Sequence, residues 1–204
     1  MLGLVRIVLA AVVALGPSAA ASAQPAGKEN WMPPEGEEIL VKQLAGLLKE
    51  AAPAESADEA ALMDRARAAV RRQRARVEAW SDKGLLERTP DLARLEMPKS
   101  GDAVLDAIGH YQMCNAILYM RHFDRARESD PAARLAAVEG LNALTMAVLY
   151  LGRGFLLSGN QSRVEGFLTG PAMEAILNRI QDRPELREYT AGQCGPVLAA
   201  LIAG

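Results

Sequence analysis

Apolar residues recur at helical spacing along most of the chain, and nowhere do they alternate with polar ones long enough to suggest a strand. In residues 35–52 they fall at Ile39, Leu40, Leu44, Leu47, Leu48 and Ala51, which is one face of a helix. Pro53 ends that pattern. Ser56-Ala57-Asp58-Glu59 has the form of a capping box, in which serine and glutamate satisfy each other's exposed backbone N–H groups. It predicts a second helix to about Asp82, with Gly84 as its stop. Thr89-Pro90 reads as an N-cap and first helical residue, opening a short turn that Pro98 closes. A third helix is expected from Ser100 or Gly101 to about Arg127. Asp130-Pro131 starts a fourth, which runs to about Ser158 with Gly159 beyond it.

Ser162-Arg163-Val164-Glu165 is a second capping box. Beyond it, Pro171, Pro184 and Pro196 divide the remainder into short helices. Residues 108–120 and 141–151 are apolar nearly all round, as in helices enclosed by other helices. The fourth helix is too closely bracketed by Glu139 and Arg153 to span a bilayer. Together these elements predict an all-α, single-domain bundle with two long central antiparallel helices and several short ones. Unequal helix lengths and the absence of repeated signature residues speak against a helical-repeat solenoid.

The first 23 residues stand apart from this fold. Arg6 is their one charge, residues 7–15 are an unbroken apolar run, and Gly16-Pro17 breaks the helix. Ala21-Ser22-Ala23 places small residues where a signal peptidase accepts them. The expectation is a cleaved signal peptide over 1–23, a polar flexible lead-in over 24–35 and an all-helical domain over 36–204. The composition is alanine-rich and arginine far outnumbers lysine, as in a GC-rich bacterial chain, so export implies the periplasm.

Composition narrows the class further. The 204 residues are 50% hydrophobic and 24% charged with net charge −2, an ordinary globule rather than a disordered chain. Two cysteines exclude a disulfide-dense scaffold and a four-cysteine zinc module. In an oxidising compartment Cys114 and Cys194 are expected to pair, closing a loop of roughly 80 residues that stabilises by about 4–5 kcal/mol. The competing reading uses Asp102, Asp106, His110 and Cys114, which step by four and share a helix stripe. There His110 and Cys114 would be half a metal site or a Cys–His nucleophile pair, but no further ligand lies at suitable spacing.

Charge is laid out in blocks: net −5 over residues 24–61, +4 over 62–99 and −2 over 100–204. The basic block is the second helix, where Arg65, Arg67, Arg71, Arg72, Arg74 and Arg76 lie opposite an apolar face. Those arginines are either a cationic surface for an anionic envelope component or a solvated face partly neutralised by the acidic first helix packed antiparallel beside it. Few aromatics are interleaved with them for base stacking, so nucleic acid is not an expected partner.

Polar residues inside the apolar hairpin form the other candidate site. In an antiparallel pair, facing residues have a nearly constant sum of numbers. His122 with Glu139, Tyr119 with Asn142, Asn115 with Thr145 and Tyr111 with Tyr150 all satisfy this rule. They predict a buried polar ladder led by His122–Glu139, with Arg153 at hand as an anion anchor. The ladder either fixes helix register or forms a ligand site, and His122 with Glu139 is its acid–base candidate. No metalloprotease, serine-hydrolase, Walker or dinucleotide-binding motif is present, and no metal or cofactor is expected. The reading that results is an exported, non-catalytic binding or interaction protein of the cell envelope. The alternatives are a small-ligand or lipid carrier, and an enzyme built on His122 and Glu139.

Overall fold

The computed structural model describes residues 31–51, 58–86, 88–125 and 130–203, except for the side chains of residues 122–125, 156, 157 and 203. The protein is all-α. Its elements are α1 (Pro34–Ala51), α2 (Glu59–Asp82), a 3-10 turn (Ala93–Leu95), α3 (Ala103–Arg125), α4 (Pro131–Leu157), α5 (Gln161–Leu168), α6 (Pro171–Asp182) and α7 (Pro184–Ala203).

α4 is the axis of the bundle. It packs most extensively on α3 and also touches α1, α2, α5 and α7. Contrary to the expectation from Glu139 and Arg153, its length and composition alone would suffice to cross a membrane, yet 83% of its most apolar stretch is buried inside the protein. Its hydrophobicity is therefore matched to neighbouring helices. α3 contributes an unbroken buried run from Tyr111 through Ile117. The two run antiparallel. Asn115 lies opposite Thr145, Ile108 opposite Gly152 and Leu118 opposite Gly140. The glycines permit this closeness: a Cβ on Gly140 would lie 2.8 Å from Leu118 Cδ1. Leucines such as Leu44, Leu48, Leu105 and Leu144 are almost fully enclosed. Each contributes about 1.5–3 kcal/mol relative to an exposed position.

The disulfide is formed as expected: Cys114 of α3 and Cys194 of α7 are bonded across 5.6 Å between Cα atoms, and both are buried. It docks the last helix against the central pair. Arg76 of α2 holds the far end of α7 by donating to the Ile202 carbonyl, near the negative end of the helix dipole.

Several local expectations shift. α2 begins one residue after Asp58, whose carboxylate accepts from the Ala60 amide at 3.0 Å. Asp58 is thus the cap, and Ser56, the expected one, lies outside the described residues. α5 begins at Gln161 with Asn160 before it, so Ser162 sits inside the helix. In the 89–98 segment the 3-10 turn follows Leu92, not Thr89, without a side-chain cap at Leu92, and the Asp91 carboxylate accepts from the Ala93 amide at 3.0 Å. Asp130 does cap α4, accepting from the Ala132 amide at 3.0 Å. Asp102 caps α3, accepting from the Val104 amide at 3.0 Å.

Pro171 and Pro184 open helices as expected, but Pro196 lies inside the continuous α7. Pro196 and Gly192, whose carbonyl loses its usual amide partner, both lie on the exposed side of the helix, where water has access. Cys194, Leu198 and Leu201 hold the opposite side in the core. The expected lead-in is also shorter at its far end. Trp31 and Met32 are buried, and α1 starts at Pro34.

Candidate functional site

The polar residues of the central hairpin do not form one ladder. Asn115 donates to the Thr145 hydroxyl at 3.0 Å across the α3–α4 interface, and that hydroxyl donates to the Leu141 carbonyl at 2.8 Å. Asn142, however, donates to Gln73 Oε1 of α2, and Gln73 Nε2 donates to the Glu139 carbonyl at 3.2 Å. Asn142 is thus committed to α2 rather than Tyr119. The Glu139 carboxylate also faces α2, where Arg65 stands 3.7 Å away. The His122 side chain, the other half of the acid–base candidate, lies outside the described residues. Tyr119 is half-buried. Burial raises its pKa, and the carboxylate of Glu50 adds to the effect. Arg153 folds back on its own helix, donating to the Tyr150 carbonyl and lying 3.7 Å over the Tyr150 ring, so it does not reach inward as an anion anchor.

Helix geometry accounts for the split. At 100° per residue, Asn142 lies about 60° and Glu139 about 120° around α4 from Thr145. A constant sum of residue numbers fixes height along a hairpin, not the face of an enclosed helix. Thr145 meets α3, while Glu139 and Asn142 meet α2.

The α2 arginines are largely tied within the molecule. Arg67 pairs with Glu38 at 3.7 Å and with Asp64 at 3.3 Å. Arg71 stands 3.7 Å from Glu37, and Arg74 binds Glu37 at 3.1 Å and Glu78 at 3.3 Å. Arg74 also lies over Trp31, whose indole N–H donates to Glu78 at 2.7 Å. Arg67, Arg71 and Arg74 line a shallow cleft of about 270 Å³ with Glu37, Glu38 and Val41. Arg65 and Arg76 have the partners already given, and Arg72 is exposed. The acidic first helix thus neutralises the basic one.

A different place keeps chemistry at the surface. Residues 89–99 cross in front of the first half of α3 and leave a groove of about 500 Å³ lined by Pro90, Leu92, Met97, Lys99, Asp106 and His110, among others. Leu92 and Leu95 anchor this segment in the core. Arg179 of α6 donates to the Leu95 carbonyl and pairs with Glu96 at 3.1 Å. Glu96 sits at φ 52°, in the left-handed region, where a side chain costs more than glycine. Tyr189 of α7 donates to the Asp91 carbonyl at 2.9 Å. The groove wall is therefore braced by two other helices.

His110 and Asp106 sit one turn apart on α3. His110 Nδ1 lies 3.1 Å from the Pro90 carbonyl. A carbonyl only accepts, so Nδ1 carries the proton and Nε2 of the neutral ring is left as an acceptor. Asp106 Oδ1 accepts from both the Ser100 amide and the Ser100 hydroxyl, each at 2.7 Å. Burial pushes the Asp106 carboxyl up, but the Ser100 bonds, His110 and Lys99 outweigh it and hold the pKa below the ordinary 3.8. Asp106 is thus a fixed anion with Oδ2 left over.

The stripe through Asp102, Asp106, His110 and Cys114 is real, but it divides. Asp102 caps the helix, Cys114 is in the disulfide, and the middle pair lines the groove. The bridge removes any His110–Cys114 metal or nucleophile pair. Among the described residues no three His, Cys, Asp or Glu side chains converge as a metal site. The groove itself was not legible in the sequence, because its outer wall is an aperiodic segment whose position depends on contacts with α6 and α7.

No protein-family model matches the chain, and neither the curated proteins nor the solved structures yield a match.

Proposed function

We propose that this protein is an exported, non-catalytic binding protein of the bacterial cell envelope, and that the groove between residues 89–99 and α3 is its ligand-accepting surface. One observation carries the second part. Asn115 and Asn142 in the interior and most α2 arginines are matched to internal partners, whereas Asp106 and His110 hold acceptor atoms at an open, braced groove. Such a combination of apolar walls and a few fixed polar groups is how small-molecule and peptide sites are built. The signal-like first 23 residues and the disulfide support export, since structural disulfides persist in oxidising compartments. The interior gives no comparable support for catalysis: Glu139 is engaged by Arg65, and Arg153 by Tyr150.

Native mass spectrometry of the protein recovered from an envelope extract tests both parts. The expected species starts at Gln24, has no free thiol and carries a low-mass adduct that His110→Gln diminishes. A species with the first 23 residues intact and free thiols would sink the export reading. An adduct indifferent to His110→Gln, or none, would sink the groove reading.

A further inference from the structure

Resting on that reading of the groove, we infer that its ligand presents a primary alkylammonium group, with the nitrogen held between Asp106 Oδ2 and His110 Nε2. With the ring neutral both atoms are acceptors, and neither has a protein donor among the described residues. They lie on successive turns of one helix face, so their side chains are neighbours. Two acceptors side by side, one of them charged, select a donor-rich cation, and an anion placed between them would meet no donor from either.

The form of Asp106 distinguishes between cations. A guanidinium is best recognised by a carboxylate that offers both oxygens to its planar fork. Asp106 has already committed Oδ1 to two bonds from Ser100, so one oxygen remains. An ammonium needs no fork. Its three N–H donors point in separate directions and can serve one carboxylate oxygen, one imidazole nitrogen and a water.

The remaining lining fits the rest of such a molecule. Pro90, Leu92, Met97 and Pro98 supply apolar wall for a short aliphatic body. Asp91 and Glu96 add negative potential at the rim, although Glu96 is shared with Arg179. Lys99 is the one lysine or arginine in the lining. It acts on Asp106 electrostatically without forming an ion pair with it. It is a competitor for the same carboxylate, so removing it should favour an added ammonium.

The test is titration of the full mature chain with n-butylammonium, n-butyrate and 1-butanol, followed by amide chemical shifts in NMR spectra. For a fragment this small, butylammonium is expected to bind with a dissociation constant of roughly millimolar order, shifting amides around residues 90–99 and 106–110. Asp106→Asn keeps the Ser100 contacts and should weaken binding about ten-fold. His110→Gln provides a second variant should Asp106→Asn fail to fold, and it should also weaken binding. Lys99→Ala should strengthen it.

Equal or larger shifts of the same amides with butyrate or butanol would overturn the ammonium assignment and leave the groove as a binding site. Unchanged binding in Asp106→Asn, or in His110→Gln where that variant stands in for it, would overturn the assignment too. If none of the three probes moves these amides, both the assignment and the groove reading fall.

Discussion

Asn142 and His110 lie on the two central helices, and both carry hydrogen-bonding side chains away from bulk water. Their surroundings differ. Asn142 is enclosed and gives its amide to Gln73, so the pair is complete within the protein. His110 is half-buried, spends Nδ1 on the Pro90 carbonyl and keeps Nε2 open. The contrast follows from what packs above each residue. Over Asn142 lies a long regular helix that supplies a matched partner. Over His110 lies an irregular segment that supplies one carbonyl and leaves space. A polar residue covered by a helix becomes structure, and one covered by a loop stays available.

The largest expected effect probes how firmly the enclosed side is held. Replacing Cys114 and Cys194 together by serine should lower unfolding free energy by about 4–5 kcal/mol, the value for closing a loop of this length. Urea denaturation measures it. A loss below about 1 kcal/mol would mean that packing alone docks α7.

Next comes Asn142→Ala, expected to cost about 1–3 kcal/mol because Gln73 Oε1 is left buried without its donor. The double change Gln73→Leu with Asn142→Leu should recover most of that loss, since two apolar groups leave nothing unsatisfied. Failure to recover would mean that the pair specifies more than its own satisfaction.

Gly109→Ala comes third. The helix gains about 1 kcal/mol from alanine, but the new Cβ would lie 2.8 Å from Phe167 Cε1, and overpacking of this kind costs about 1–3 kcal/mol. A net loss of about 1 kcal/mol is expected by thermal melting, reversed to a gain when Phe167→Leu is added.

The smallest effects belong to the open side. Because the folded pKa of Asp106 lies below its unfolded value, its contribution is present above 3.8 and fades as pH falls through the folded pKa. Asp106→Asn should cost about 0.5 kcal/mol or less at pH 7, given its exposure, and the gap to wild type should close in acid below pH 3.8. Unfolding curves at pH 7 and pH 3 check the sign. A gap that widens in acid would mean that Asp106 is destabilising when charged.

Much of the fold can be read from the chain because helices announce themselves locally. The spacing of Ile39, Leu40, Leu44, Leu47 and Leu48 yields α1, and Asp130-Pro131 marks the start of α4 to the residue. Caps were less legible where two candidates stood close together, as with Ser56 and Asp58 or Asn160 and Ser162. Pro196 misled because its effect depends on whether the carbonyl four residues earlier can reach water, which is a tertiary fact.

The candidate site was legible only in fragments. Asp106 and His110 were recognisable as a stripe, and Asn115 with Thr145 as a pair. The assignment of Asn142 and Glu139 to α2 depends on which of several neighbours an enclosed helix turns each face toward. Spacing within a hairpin does not contain that information.

The bond between Cys114 and Cys194 has a topological consequence. Residues 114–194 form a covalent ring that includes all of α4, α5 and α6. A single proteolytic cut anywhere on that ring opens it without releasing a fragment. A protease that nicks one of its linkers therefore leaves a molecule that migrates whole without reductant and divides in two only when a thiol is added.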